Sequence, residues 1–140
     1  MAAVAMVAAS LASLSFSGAA EAVPVPWKNC GTASDPIVVT KFDASVWPPQ
    51  RGQPETLQWA YNVSRDIVVR REIRVVAPRG LGRIPTPFDA RVIRAGPYTS
   101  SDTFTVSDSI PAGSVFSVHL SIFDNTWTKV FCLAMVVPIK

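Results

Sequence analysis

The sequence contains little of what enzyme active sites commonly use. Among its 140 residues there is one histidine, His119, and there are two cysteines, Cys30 and Cys132. A single histidine excludes most catalytic triads, unless His119 is buried beside a nucleophile. The chain also lacks a G-x-S-x-G motif, a glycine loop that could cradle a phosphate, and a pair of histidine metal ligands. We therefore expect a protein that is not an enzyme, with no catalytic residues and no cofactor.

The charge balance and the metal-ligand spacing exclude two further classes. The chain has 13 Lys and Arg against 10 Asp and Glu, a formal net charge of +3. This excess favours anionic surfaces but is too small to indicate nucleic-acid binding by itself, and no aromatic–basic motif of a nucleic-acid module occurs. Two cysteines and one histidine show none of the ligand spacings of a zinc site. We expect neither a nucleic-acid partner nor a bound metal.

The first 22 residues are Ala-rich, interrupted by serines, and uncharged before Glu21. They end in Ala20-Glu21-Ala22, an A-x-A cleavage signal, so residues 1–22 are interpreted as a secretory signal peptide and residues 23–140 as one mature domain. A membrane span is the alternative, but a span needs about 20 strongly apolar residues, and alanine and serine are poor at that. We expect a secreted protein, either extracellular or in the lumen of a lysosome- or vacuole-like compartment.

Secretion bears on the two cysteines and on a glycosylation motif. In an oxidising compartment, two cysteines in one domain usually pair, so we predict a Cys30–Cys132 disulfide. In the chain-entropy model, closing a loop of about 100 residues stabilises a fold by about 4.7 kcal/mol. Asn62-Val63-Ser64 is an N-glycosylation sequon, which fits a secreted chain, and Asn62 is the candidate glycan site.

Helical periodicity is missing after the signal peptide. Twelve prolines and seven glycines separate short apolar runs that alternate with period two, as half-buried strands do. Turns are predicted between them, including one at residues 94–102. About seven strands spaced in this way favour an all-β, antiparallel two-sheet sandwich. The predicted strands lie near residues 36–43, 56–64, 66–76, 89–95, 102–107, 115–123 and 127–137.

The alternation also assigns faces to the strands. In "TLQWAYNVS", Trp59, Tyr61 and Val63 share the apolar face, and Asn62 points to solvent. In "VFSVHLSIF", the apolar residues Phe116, Val118, Leu120 and Ile122 share one face, and His119 lies on the other. We therefore expect His119 to be an exposed strand residue.

The segment "DIVVRREIRVV" breaks the alternation. Ile67, Val69, Ile73 and Val75 would share the apolar side, and the polar side would hold residues such as Glu72 and Arg74. Arg71, however, falls on the apolar side. Either a β-bulge shifts the register there, or this side chain extends past the edge of the core.

Arginines are concentrated in the middle of the chain. Eight of the 13 basic residues are Arg65, Arg70, Arg71, Arg74, Arg79, Arg83, Arg91 and Arg94. The loop "PRGLGRIPTPFDARVIR" combines several of them with Leu81, Ile84 and Phe88. Apolar tips beside guanidinium groups suit contact with an anionic membrane, at about 1 kcal/mol per basic side chain. The alternative is a solvated loop whose apolar residues pack into the sandwich.

Several short motifs resemble one known family. They are "W-x-N-C-G" at residues 27–31, "DPIVV", "WPPQRGQPETL", "IPTPFDA", Gly96 with Tyr98 before a strand, "iP-x-G" at residues 110–113, and a late cysteine in the final strand. Their order resembles the ML lipid-recognition domain over essentially the whole mature chain. That family includes the Niemann–Pick type C sterol carrier, the ganglioside activator and fungal phosphatidylglycerol/phosphatidylinositol transfer proteins.

The resemblance implies an immunoglobulin-like β-sandwich with an apolar cavity between its sheets. Cys30 and Cys132 match the family disulfide that joins the first strand region to the last, whereas Arg91 replaces a family cysteine near the cavity entrance. The implied ligand is a sterol or phospholipid, the implied membrane contact is transient, and we expect a monomer. Arg79, Arg83 and Arg91 would meet a headgroup or an anionic membrane. The expected lipid-binding residues are Trp59, Tyr61, Val63, Val69, Ile73, Val75, Leu81, Ile84, Phe88, Phe104, Val118, Leu120 and Phe131.

A second class of protein, which does not act as a lipid carrier, is also consistent with the sequence. Alternation shows which way a side chain points but not whether an empty space lies beyond it. A filled sandwich would be a secreted recognition module that binds a protein or a glycan through its loops. A related possibility is a lipid co-receptor, in which the bound lipid forms part of a protein interface.

Overall fold

A computed structural model describes residues 22–85 and 91–140. The signal-peptide prediction, apart from Ala22, lies outside these residues. The described residues form nine β-strands and no helix, and therefore contain no helix that could span a membrane. The strands are β1 (Val23–Pro24), β2 (Lys28–Asn29), β3 (Ile37–Ala44), β4 (Pro54–Val63), β5 (Ile67–Ala77), β6 (Val92–Ile93), β7 (Gly96–Thr105), β8 (Val115–Asp124) and β9 (Lys129–Pro138).

Two antiparallel sheets pack face to face, which confirms the predicted all-β sandwich. One sheet has the order β1-β3-β4-β7 and the other the order β2-β9-β8-β5-β6. The alternating sequence explains the packing, because every second residue of β4 from Glu55 to Val63 is buried. In β8 the same alternation buries Val118 and Leu120 and leaves His119 exposed, as expected.

The N-terminal segment crosses from one sheet to the other. Its first strand pairs with Asp43 and Ala44 of β3, and its second pairs with β9 in the opposite sheet. Between them, Val25 is buried and donates its backbone N–H to the carbonyl of Phe42 at 2.9 Å. The prolines of this segment gave no alternating pattern, so sequence reasoning missed both short strands.

The disulfide between Cys30 and Cys132 is present, which confirms the predicted pairing. It joins residues 102 apart in sequence, with a Cα–Cα distance of 5.0 Å. Because β2 and β9 are neighbours in one sheet, the bond fastens the end of the N-terminal segment to the last strand. It therefore does not connect the two sheets directly.

Strand β5 contains the bulge that its sequence allowed. The register with β8 shifts between Val69 and Arg71, so Arg70 is the extra residue. Beyond the bulge, Ile73 pairs with Ser121 and Val75 pairs with His119, both on the outer face. Since directly paired residues point to the same side of a sheet, Ile73 and Val75 face outward, and Val75 is 52% exposed. The prediction that these two residues line the interior is wrong.

The turn predicted at residues 94–102 is also wrong, because β7 begins at Gly96 and pairs along its whole length with β4. Proline lacks a backbone N–H and is tolerated on an edge strand, and β7 is an edge strand, which explains Pro97. Tyr98 stacks on Tyr61 of β4 with ring centroids 5.1 Å apart. Its hydroxyl also donates to the carbonyl of Arg94 at 2.7 Å.

Candidate functional site

A cavity of about 440 Å³ lies between the two sheets. Strands β5, β8 and β9 form one wall, Trp59 of β4 closes the opposite side, and residues 82–85 border a third side. Gly82 and Arg83 are exposed, so the cavity reaches the surface at this loop. The lining residues are Trp59, Arg74, Val76, Gly82, Arg83, Ile84, Pro85, Val118, Leu120, Leu133 and Met135.

The cavity walls are held by the packing around them. The indole of Trp59 is buried and stacks on Phe42 of β3, with ring centroids 3.6 Å apart and 11° between the planes. On the opposite sheet, alternation directs Val118 and Leu120 of β8 inward, and Leu133 of β9 faces the same way because it pairs directly with Leu120. An empty space persists between these surfaces, so the interior is not filled across its whole width.

Among the described residues, the wall formed by β5, β8 and β9 contains one charged lining residue, Arg74, which forms an ion pair with Glu72. Arg74 Nε donates to Glu72 Oε1, and Arg74 Nη1 donates to the carbonyl of Ile84 at 3.3 Å. Both side chains are mostly buried, with 25% of Arg74 and 19% of Glu72 exposed. The register beyond the bulge pairs Glu72 with Ile122 and Arg74 with Leu120, so both charged residues face inward. Sequence alternation had assigned them to the outer face.

The structure brings part of the predicted lipid-binding set to the cavity. Four predicted residues line it: Trp59, Ile84, Val118 and Leu120. Six others belong to the core without lining the described cavity: Tyr61, Val63, Leu81, Phe104 and Phe131 are buried in it, and Val69 packs against it. Phe88 lies outside the described residues. With Ile73 and Val75 on the outer face, the predicted set is only partly assembled at one site.

Sequence reasoning missed several lining residues. Leu133 and Met135 belong to a strand that is apolar on both faces, so alternation could not assign them. Val76 was missed because the bulge reverses the inward side of β5. Gly82 and Pro85 lie in an irregular segment where no periodicity applies. A correct placement of the bulge would have identified both Arg74 and Val76.

The arginine-rich loop buries Leu81 and Ile84, the two described apolar residues that were expected at a membrane-contacting tip, whereas Val92 at its far end is 42% exposed. Leu81 and Ile84 are buried, at 3% and 7% exposure, and pack into the core. This part of the loop agrees with the alternative of apolar residues packed into the sandwich. Arg79, Arg83 and Arg91 are exposed, and Arg83 also lines the cavity. Their role towards a membrane or a headgroup stays a prediction, as does glycosylation of Asn62, which is exposed on the outer face of β4.

Several buried polar atoms have no hydrogen-bond partner among the described residues. They include both carboxyl oxygens of Glu55, the indole nitrogen of Trp59 and the hydroxyl of Ser100. Glu55 is 3% exposed, and desolvation by burial raises its pKa from 4.5 to about 7. Ser100 pairs directly with Trp59 across β7 and β4. The inner face of the four-stranded sheet therefore carries polar groups among its apolar side chains.

Asp124, at the β8–β9 turn, has a pKa that is shifted in the opposite direction from that of Glu55. The hydroxyl of Thr126 donates to its Oδ1 at 2.7 Å, the backbone N–H of Thr128 donates at 3.0 Å, and Arg65 Nη2 donates to Oδ2 at 3.1 Å. The hydrogen bond from Thr126 is the largest of the causes that lower the pKa of Asp124 to about 2. Among the described residues, no group of three or more His, Cys, Asp or Glu could hold a metal ion.

Comparisons with known proteins bear on the fold. No model of a known protein family matches the sequence, and a search of curated proteins finds no match either. Among solved structures, the chain is similar to a Niemann-Pick type C2 protein from Japanese carpenter ant, with a TM-score of 0.59 and 13% sequence identity. The alignment covers 82% of this chain and 99% of that chain. The two proteins share a β-sandwich fold.

Proposed function

We propose that this chain is a secreted lipid-binding and lipid-transfer protein of the ML type, without enzymatic activity. It would hold a sterol, a phospholipid or a fatty acyl chain between its two sheets. The observation that carries the proposal is the cavity of about 440 Å³ between Trp59 and strands β5, β8 and β9. The fold shared with the Niemann-Pick type C2 protein and the motif pattern along the mature chain support it.

The driving force is the transfer of hydrocarbon from water to an apolar surface. Each buried methylene contributes about 0.8 kcal/mol, and no covalent bond is made or broken. Small-molecule sites usually measure about 300–1,000 Å³, so a cavity of about 440 Å³ suits one hydrocarbon body better than two separate acyl chains. Delivery would begin where the cavity reaches the surface, beside Arg83.

Identification of a bound lipid is the most direct test. The protein, secreted from its expression host, is extracted with organic solvent, and the extract is examined by mass spectrometry. A stoichiometric copurifying lipid supports the carrier. A lipid-free protein that also fails to bind a fluorescent fatty acid and a fluorescent sterol would contradict the proposal and favour a recognition module that acts through its loops.

A substitution that fills the cavity tests whether the lipid binds in this cavity. In Val118→Phe the larger side chain would project into the cavity. Val115→Phe is the matched control, since Val115 is 54% exposed on the same strand. We expect Val118→Phe to weaken fatty-acid binding at least about tenfold, which corresponds to about 1.4 kcal/mol. The control should bind like the unmodified protein. Equal affinities for the two variants would place the ligand elsewhere, and circular dichroism checks that both are folded.

A further inference from the structure

The ion pair between Arg74 and Glu72 is unusual for its position. Among the described lining residues, Arg74 and Arg83 are the charged ones, and the others are apolar or aromatic. Burying charge is costly unless the pairing is good, and an apolar pair of similar volume often stabilises a fold equally well or better. A contribution to folding stability is therefore a weak explanation for the presence of this ion pair. A role in ligand recognition accounts for the position of Arg74 in the cavity wall.

The β-bulge is what brings the pair inward. Without the extra residue Arg70, alternation from Ile67 and Val69 would direct Ile73 and Val75 into the cavity and Arg74 to solvent. Bulges commonly occur next to functional sites, where they redirect a side chain. Here the bulge turns Ile73 and Val75 outward and Glu72, Arg74 and Val76 inward, and of these Arg74 and Val76 line the cavity.

We propose that the cavity takes an amphiphile with a single apolar body and one oxyanion head, a carboxylate or a phosphate, and that Arg74 binds this head in competition with Glu72. This inference rests on the proposed lipid-binding function and specifies its ligand class. The guanidinium offers five N–H donors in a planar fork that matches carboxylate and phosphate. Glu72 pairs with the guanidinium, and the oxyanion of a ligand would take the place of the Glu72 carboxylate.

The surroundings of Arg74 favour such an exchange. Charge-assisted hydrogen bonds are about twice as strong as neutral ones, and an apolar wall with little water strengthens them further. Val118 and Leu120 lie beside Arg74 in the same wall and would contact the hydrocarbon next to the head. Arg83 lines the same cavity from the exposed loop, and its positive charge adds to the preference for an anion.

The test compares three probes with the same hydrocarbon body: oleic acid, oleyl phosphate and oleyl alcohol. Dissociation constants are measured by isothermal titration calorimetry, below the concentration at which each probe aggregates. Arg74→Gln should weaken the binding of oleic acid or oleyl phosphate at least about tenfold, or about 1.4 kcal/mol, and change the binding of oleyl alcohol less than about twofold. Arg71→Gln is the matched control, because Arg71 is an exposed arginine on the same strand. The anionic probe that loses more affinity identifies the head as carboxylate or phosphate.

A second variant tests the competition and covers a failure of Arg74→Gln to fold. Glu72→Gln removes the competing carboxylate charge, so the affinity for the anionic probe should rise about threefold or more, and the affinity for oleyl alcohol should not change. Equal losses for acid and alcohol in Arg74→Gln, or weaker anion binding in Glu72→Gln, would overturn the inference and leave the lipid carrier intact. Failure of the unmodified protein to bind any of the three probes would count against the proposed function itself.

Discussion

Cys30 is bonded to Cys132 within one sheet, immediately after the chain has crossed from the other sheet. The backbone N–H of Cys30 also donates to the carbonyl of Cys132, at 3.2 Å. The strands on either side of the crossing have only two residues each. The covalent bond therefore holds a segment that has few backbone hydrogen bonds, and this segment contacts both sheets.

Removal of this bond should destabilise the fold and release the crossing segment first. We expect the double variant Cys30→Ser, Cys132→Ser to lose about 2–5 kcal/mol of unfolding free energy, the range commonly lost when a native disulfide is removed from a small secreted domain. Denaturant unfolding measures this loss. Hydrogen exchange should also accelerate at the backbone amide of Val25 before it does at those of the core strand β8. Unchanged exchange at Val25 would show that its burial alone anchors the segment.

Glu55 should make the fold less stable as pH rises. Its folded-state pKa is about 7 against 4.5 for an ordinary carboxyl, so the folded protein retains a proton that the unfolded chain has already lost. The unfolding free energy therefore starts to fall near pH 4.5 and continues to fall up to about pH 7. Above that pH the loss is complete, on the order of 3 kcal/mol. Urea unfolding at about pH 5 and about pH 8 should therefore show lower stability at the higher pH.

Glu55→Gln isolates this effect, because an amide of the same shape does not ionise. We expect the variant to lose the fall in stability between the two pH values and to be more stable than the unmodified protein at the higher one. Asp108→Asn is the control, since Asp108 is an exposed carboxyl and its replacement should leave the pH dependence in place. An unchanged pH dependence in Glu55→Gln would assign the effect to another group.

Asp124 should make the stability of the fold depend on pH a second time, in the acidic range. Its pKa is lowered from 3.8 to about 2, so its stabilisation is present above the ordinary value and disappears as pH falls through the folded value. Asp124→Asn loses the charge that accepts hydrogen bonds from Thr126, Thr128 and Arg65, and should destabilise the protein by about 1–3 kcal/mol near neutral pH. Its melting temperature should then fall less than that of the unmodified protein on acidification, and a parallel fall in both would contradict this assignment.

Arg79 and Arg83 should direct lipid exchange towards anionic membranes. Each exposed basic side chain near such a surface contributes about 1 kcal/mol, so Arg79→Gln with Arg83→Gln should weaken vesicle association by about 2 kcal/mol. The measurement is the rate of transfer of a fluorescent lipid from anionic and from neutral vesicles. We expect the double variant to be slowed mainly with anionic vesicles, and Arg71→Gln to behave like the unmodified protein. Equal slowing with both kinds of vesicle would argue against a membrane-contacting role.

Much of the fold could be predicted from the sequence where strands are regular and one face is buried. The inward direction of Trp59 and of Val118, and the outward direction of His119, followed from alternation alone, because a strand turns every second side chain to the same face. The disulfide followed from the number of cysteines and the expected compartment. The strand spacing favoured a sandwich, and the structure has one.

The cavity and its charged wall were decided only by the tertiary structure. The extra residue at Arg70 reverses the side on which Arg74 and Val75 lie, and the bulge could be located only from the pairing of β5 with β8. Whether the inward side chains meet or leave a space depends on the distance between two sheets, which no local pattern encodes. The sequence by itself therefore determined the long strands other than β7, most of their faces and the disulfide, because these depend on neighbouring residues and composition. The ligand space depends on contacts between residues far apart in the chain.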